Sequence, residues 1–315
     1  MANPEKRETS AATTKKSSPA SSLSVSDTMK GLLADQKDRI KLDDYVTELL
    51  KTTLEALAAD PFWQSAPGLT AETFQARLDY YDVTIKDLLV AVILLVRWGQ
   101  AEQIMLLERI FSRLAEANKD RGGILVWLSA RSYPVSLLSY AAGMTALTFG
   151  NYPALRAILL TMTNLQRGDD KSGPLIVAIG YQIGQINDTF KLIPAHSKNR
   201  VPVSEFMFAK LGAQLEELLF LGSSYERYFD EYEILAALTF ADYREAEGQR
   251  VWAMPGRFGW KFARTGRPYD TFIKDAVAAG ADWPVLRAGL FGSSATRFEE
   301  IAKSYRVFLT ELNWY

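Results

Sequence analysis

Residues 132–160 read SYPVSLLSYAAGMTALTFGNYPALRAILL. The two Tyr-Pro pairs, Tyr133-Pro134 and Tyr152-Pro153, each stand where a helix can begin. A proline in the first helical turn gives up only an amide hydrogen that has no partner there. Between them, apolar residues follow at helical spacing and Gly150-Asn151-Tyr152 supplies a turn. The stretch therefore predicts helices over 134–149 and 153–165, folded into a hairpin. Small residues at 141–143 and 146 let a neighbouring backbone come close, and Tyr152 is placed to wedge into the crease. Such a hairpin cannot bury its apolar face alone and has to stack on neighbours.

The flanking sequence repeats the helical pattern. DTMKGLLADQKDRIKLDDYVTELLKTTLEALAAD, 27–60, carries leucines, Ile40 and Val46 at mostly three- or four-residue steps, and DPFWQSAPG, 60–68, breaks it with two prolines and a glycine. A helix is predicted over 71–81. Thr84 is placed to cap the next, with Val83 stapling onto Leu88, and Gly99 ends it in a left-handed conformation. Further helices are expected over 101–118, 123–131, 205–221, 224–246, 271–279, 284–290 and 295–312. QRGDDKSGP, 166–174, is an internal break whose RGD reads as turn chemistry, and LIPAHSKNRVPVS, 192–204, is a loop. PLIVAIGYQIG, 174–184, fits a short strand or a buried helix equally. The expectation is an all-α fold of stacked helical hairpins, an irregular solenoid or a bundle, with short strand or irregular segments near 174–184 and 250–268. Residues 1–26, rich in Ser, Thr, Ala and Lys, read as a disordered tail; 27–165 and 174–315 read as two helical lobes.

Composition narrows the chemistry. The chain of 315 residues has a formal net charge of −1, no cysteine and one histidine, His196. Disulfides, thiolate metal sites and cysteine nucleophiles are excluded, as is any motif needing two histidines. His196 lies in a polar, proline-flanked loop and reads as a surface residue. There is no Gly-Lys dipeptide for a P-loop, no dinucleotide-binding glycine motif and no Gly-x-Ser-x-Gly elbow. The most apolar run, LLVAVILLV at 88–96, is far short of the roughly 20 residues that span a bilayer. With a polar N-terminal segment, this points to a cytoplasmic protein that needs no cofactor.

AGMTALTFGNYPALRAILL, 142–160, resembles the tetratricopeptide repeat in its small residues and Gly-Asn-Tyr turn. VILLVRWGQAEQIMLLERIF around Gly99 and ILAALTFADYREA around Ala241-Asp242-Tyr243 echo it more loosely. The turns at 99, 150 and 241 lie 51 and 91 residues apart, against a family period of about 34. The resemblance implies stacked hairpins rather than a regular array. The Tyr-Pro-x-x-Leu-Leu-x-Tyr-Ala-x-Gly texture of 133–143 also resembles helical sensor regions of bacterial defence proteins, which implies a sensing or partner-binding role.

Two segments carry candidate chemistry. In RVWAMPGRFGWKFARTGRPYDTF, 250–272, cations alternate with aromatics; Arg257, Trp260, Lys261, Arg264 and Arg267 could grip phosphate and stack on bases. Its glycines and prolines argue against a regular helix. In SSYERYFDEYEIL, 223–235, Glu226, Asp230 and Glu233 share one helical stripe and could hold a divalent metal. Pairing of that stripe with the 257–267 cations would explain both segments without a ligand. The first expectation is a non-catalytic interaction or sensor protein with a protein partner; its large apolar helical surface also allows a homo-oligomer. The second is a nucleic-acid or nucleotide-binding module, and the third a carboxylate-metal enzyme.

Overall fold

The computed structural model describes residues 24–61, 68–117, 123–165, 171–312 and 314. The expected disordered tail lies outside these residues except at its end, where Val25 and Ser26 already belong to a helix; the RGD at 167–169 lies outside them entirely. The fold is all-α. Its helices are α1 Val25–Ala34, α2 Arg39–Ala58, α3 Ala71–Trp98, α4 Ile104–Glu116, α5 Leu125–Ala130, α6 Tyr133–Phe149, α7 Tyr152–Leu160, α8 Leu175–Ile186, α9 Pro202–Leu219, α10 Tyr225–Ala246, α11 Arg257–Thr265, α12 Tyr269–Ala279, α13 Pro284–Arg287 and α14 Ala295–Glu311. Two short strands, β1 Met162–Asn164 and β2 Ser172–Pro174, pair antiparallel with Thr163 opposite Gly173. No helix among the described residues is long and apolar enough to cross a membrane.

The opening stretch forms the middle of the molecule. Every residue of α6 from Tyr133 to Ala146 is buried except Tyr140, as expected of a helix apolar on all sides. It packs against α3, α4, α7, α8, α9 and α10. Gly143 faces the Tyr232 ring of α10 so closely that a Cβ there would lie 2.1 Å from it. The turn follows the sequence: Gly150 is left-handed at φ 66°, and the Asn151 side chain caps α7 by accepting from the Ala154 amide. Asn151 also donates to the Val96 carbonyl of α3, 2.8 Å away. Buried side chains from Met29 to Leu309 form one continuous core to which both expected lobes contribute.

Several elements differ from expectation. Nothing between Tyr81 and Thr84 interrupts the backbone ladder, so α3 runs unbroken. Thr70 provides its cap, while Thr84 donates back to the Tyr80 carbonyl and Val83 is exposed. Gly99 ends α3 in extended rather than left-handed backbone, at φ −65°. Past Leu160 the chain leaves the helix for β1, and the Leu175 amide donates to the Thr161 carbonyl as α8 starts. The segment 175–184 is thus the buried helix. Ala241-Asp242-Tyr243 makes no turn, because α10 continues through it. The basic-aromatic segment contains a true helix, α11; Gly256 and Gly266 lie at its two ends, where glycine costs it nothing.

A second buried centre ties α2 to α3. Arg77 is fully buried and its Nη2 donates to Asp60 Oδ2 at 2.6 Å; the Tyr81 hydroxyl donates to the same oxygen at 2.9 Å. Arg131 donates to the Leu57 carbonyl at 3.1 Å, and the Arg77 guanidinium lies 5.1 Å from the Trp127 ring centre.

Candidate ligand-binding site

The two candidate segments meet. Helix α10 presents its acidic stripe to α11, and the cations and carboxylates pair across the contact. Lys261 Nζ lies 2.6 Å from Asp230 Oδ2 and 2.7 Å from Glu226 Oε1. The Arg257 guanidinium lies 3.0 Å from Glu205 Oε2 and 3.5 Å from Glu226 Oε1, with its central carbon 3.5 Å from the Phe208 ring centre. Trp260 Nε1 donates to Glu205 Oε1 at 3.0 Å. The charges shape each other. The Lys261 hydrogen bond holds Glu226 below the usual carboxylate range, whereas burial raises Asp230 against the same lysine.

One turn further along, Glu233 has left this ionic layer for the interior. It is 4% exposed. Its Oε1 accepts from the Ser204 hydroxyl at 2.5 Å and the Tyr140 hydroxyl at 2.8 Å, and its Oε2 accepts from the Arg257 amide at 2.8 Å. Burial pushes its pKa up to about 7, against the three hydrogen bonds that favour the charged form. The approach of the chain at 256 depends on glycine, since a Cβ there would lie 2.0 Å from Glu233 Oε2.

Glu233 lines a cavity of about 70 Å³ whose walls come from α6, α8, α9, α10 and residues 253–256. That is space for several waters or a small organic molecule. Ile176, Ile179, Met207 and Phe240 make most of its wall apolar; Ser139 and Tyr232 add a hydroxyl pair 2.5 Å apart. A mostly apolar cavity with a few converging polar groups, one of them titrating near neutrality, has the make-up of a small-ligand site.

Among the described residues, no group of three or more His, Asp or Glu side chains could hold a metal ion. Glu226 and Asp230 turn to Lys261, while Glu233 turns to hydroxyls and an amide. The basic residues divide likewise: Arg257, Trp260 and Lys261 engage acids, but Arg264 and Arg267 are exposed. Arg264 lies over Trp260, and Arg267 borders a separate groove with Arg227 and Asp275. His196 is half-buried, its ring edge on Phe206 and its Nδ1 3.1 Å from Asn199 Nδ2; burial lowers its pKa. Tyr140 and Ser204 escaped the sequence reading. Tyr140 left one signal, as a large polar-tipped residue within the otherwise small and apolar middle of α6.

Compared with known proteins, the chain matches no family model, no curated protein and no solved structure.

Proposed function

We propose that the protein is a non-catalytic helical sensor that holds a small, largely apolar amine in the cavity beside Glu233. The observation that supports this is the buried Glu233 carboxyl in an otherwise apolar wall. An ammonium group brought to that wall favours the ionised carboxylate, and the rings of Tyr140, Tyr232 and Phe240 favour a cation near them. Three donors already occupy the carboxylate oxygens, which fits a recognition group better than a free base. Calorimetric titration with small alkyl and aryl amines, against alcohols and carboxylic acids of the same size, tests the reading. Amine binding that weakens below pH 7 and vanishes in Glu233→Gln is expected. Equal binding of all three series, or amine binding unaffected by Glu233→Gln, would sink it.

A second observation favours a protein partner as the receiver of the signal. The C-terminal ends of α3, α6 and α9 converge, and there Arg97 lies 4.4 Å from the Trp98 ring centre and 4.6 Å from that of Phe149. Arg97 also donates to the Leu218 carbonyl at 2.9 Å, a favourable place for a cation at a helix C-terminus. Two residues on, Phe220 is 78% exposed in a left-handed conformation at φ 55°. Arginine and large aromatics are the residues that anchor protein interfaces. Helices α6 and α9 each reach from the cavity, at Tyr140 and Ser204, to this cluster, so a ligand that shifts either helix would move the cluster. A photo-crosslinking residue at 220 is expected to capture a discrete partner in cells, more strongly with the amine present, and one at exposed Val307 is not. Equal capture at both positions would count against this surface.

A further inference from the structure

A groove of about 370 Å³ lies between residues 198–200 and α11, with Glu205 and Trp260 both in its wall. Lys198, Arg200 and Arg264 stand around it, and none of the three has an ion-pair partner among the described residues. Its one acid, Glu205, is already engaged by Arg257 and by the Trp260 indole. The groove therefore keeps an uncompensated positive charge, although the chain as a whole is nearly neutral.

Two indoles, Trp260 and Trp314, line the same groove. Both have their polar edge satisfied inside the protein: Trp260 Nε1 by Glu205 at 3.0 Å, and Trp314 Nε1 by the Leu309 carbonyl at 3.3 Å. What remains for a ligand is ring surface. Trp314 can lie against α11 because residue 259 is glycine; a Cβ there would come 2.6 Å from its ring. The loop that carries Lys198 and Arg200 is braced by the His196–Asn199 contact. Fixed rings beside cations that have no ion-pair partner among the described residues, Arg264 already 5.6 Å from the Trp260 ring centre, are the combination that binds a base by stacking and its phosphate by charge. The volume is at the lower end of the roughly 300–1,000 Å³ usual for small-ligand sites.

We infer that this groove binds a nucleotide unit, with its base against Trp260 and Trp314 and its phosphate on Lys198, Arg200 and Arg264. The unit could come from a free nucleotide or from a single strand, and the two sources share this chemistry. The test is fluorescence anisotropy with a labelled five-nucleotide oligothymidylate, competed by nucleoside triphosphates and by pyrophosphate. The comparison protein carries Lys198→Gln, Arg200→Gln and Arg264→Gln, all at exposed positions, and must keep the wild-type melting temperature. Salt-sensitive oligonucleotide binding is expected, with the slope of log K against log salt reduced by about 2 in the variant, at about 0.7 for each lost contact. Competition by the triphosphate at equal nucleotide concentration would identify a free nucleotide as the natural unit, and competition by strands alone would identify a nucleic acid. No binding at low salt, binding unchanged in the variant, or displacement by pyrophosphate as effective as by the triphosphate would each overturn the inference.

Discussion

Replacing Glu233 with Gln should make the protein more stable above neutrality, although it removes a hydrogen-bonded carboxylate from the interior. Glu233 ordinarily would titrate at 4.5, but burial pushes it up to about 7 in the fold. The folded state therefore binds this proton more tightly than the unfolded state does. Between those two values the folded protein carries the extra proton, so stability falls as pH rises. Each pH unit of displacement is worth about 1.4 kcal/mol, which makes the total loss about 3 kcal/mol by pH 8. Glutamine has the same shape, can accept from the Arg257 amide with its oxygen, and can donate to Ser204 and Tyr140 with its amide, but it does not titrate. Urea denaturation of both proteins at pH 5, 6, 7 and 8 isolates the group, because Asp230, Arg257 and every other charge near it are common to both. The difference between variant and wild type should grow by about 2.5 kcal/mol across that range, since some is already lost at pH 5, a midpoint shift of about 0.8 M for an m-value of about 3 kcal/mol/M. A difference independent of pH, or one that shrinks as pH rises, would refute the assignment of Glu233 as a carboxyl held neutral by burial.

Other perturbations test the packing. Asp60→Ala leaves Arg77 buried with no carboxylate and should cost about 3–5 kcal/mol, whereas Asp60→Ala combined with Arg77→Met should recover part of that loss in chemical denaturation. Gly143→Ala drives a methyl into the Tyr232 ring and should cost about 1–3 kcal/mol, read as a lowered melting temperature; an unchanged melt would mean α6 and α10 are less closely apposed than the contact implies. Phe220→Gly removes both a left-handed phenylalanine and an exposed ring, and should stabilise the fold by about 1 kcal/mol while reducing capture of a partner at that surface.

What could be read from the sequence was what the chain decides locally. Pro134, Gly150 and Asn151 act within a turn of their own positions, so the α6–α7 hairpin was legible. Thr84 can cap a helix, so the sequence alone predicts a break within α3; that Thr84 instead bonds back to Tyr80 depends on the apolar residues on either side being buried together. Helix α11 was hidden by counting Gly256 and Gly266 against it when they stand at its ends. The pairing of Lys261 with Glu226 and Asp230 was foreseeable from complementary charge. The meeting of Tyr140, Ser204 and Glu233 was not, since it joins residues 93 and 29 positions apart and only the packing of α6, α9 and α10 brings them together.

The burial of α6 on every side also has a consequence during synthesis. Ser139 meets Tyr232, its hydrogen-bonding partner, only after 93 further residues have been added. At roughly 5–20 residues per second, α6 waits about 5–20 s for the helix that covers it. Through that interval the side of α6 that meets α10 lacks its cover, although α3, α4, α7, α8 and α9 are all made before α10. The nascent chain thus offers, for seconds, a binding surface that the finished protein never shows.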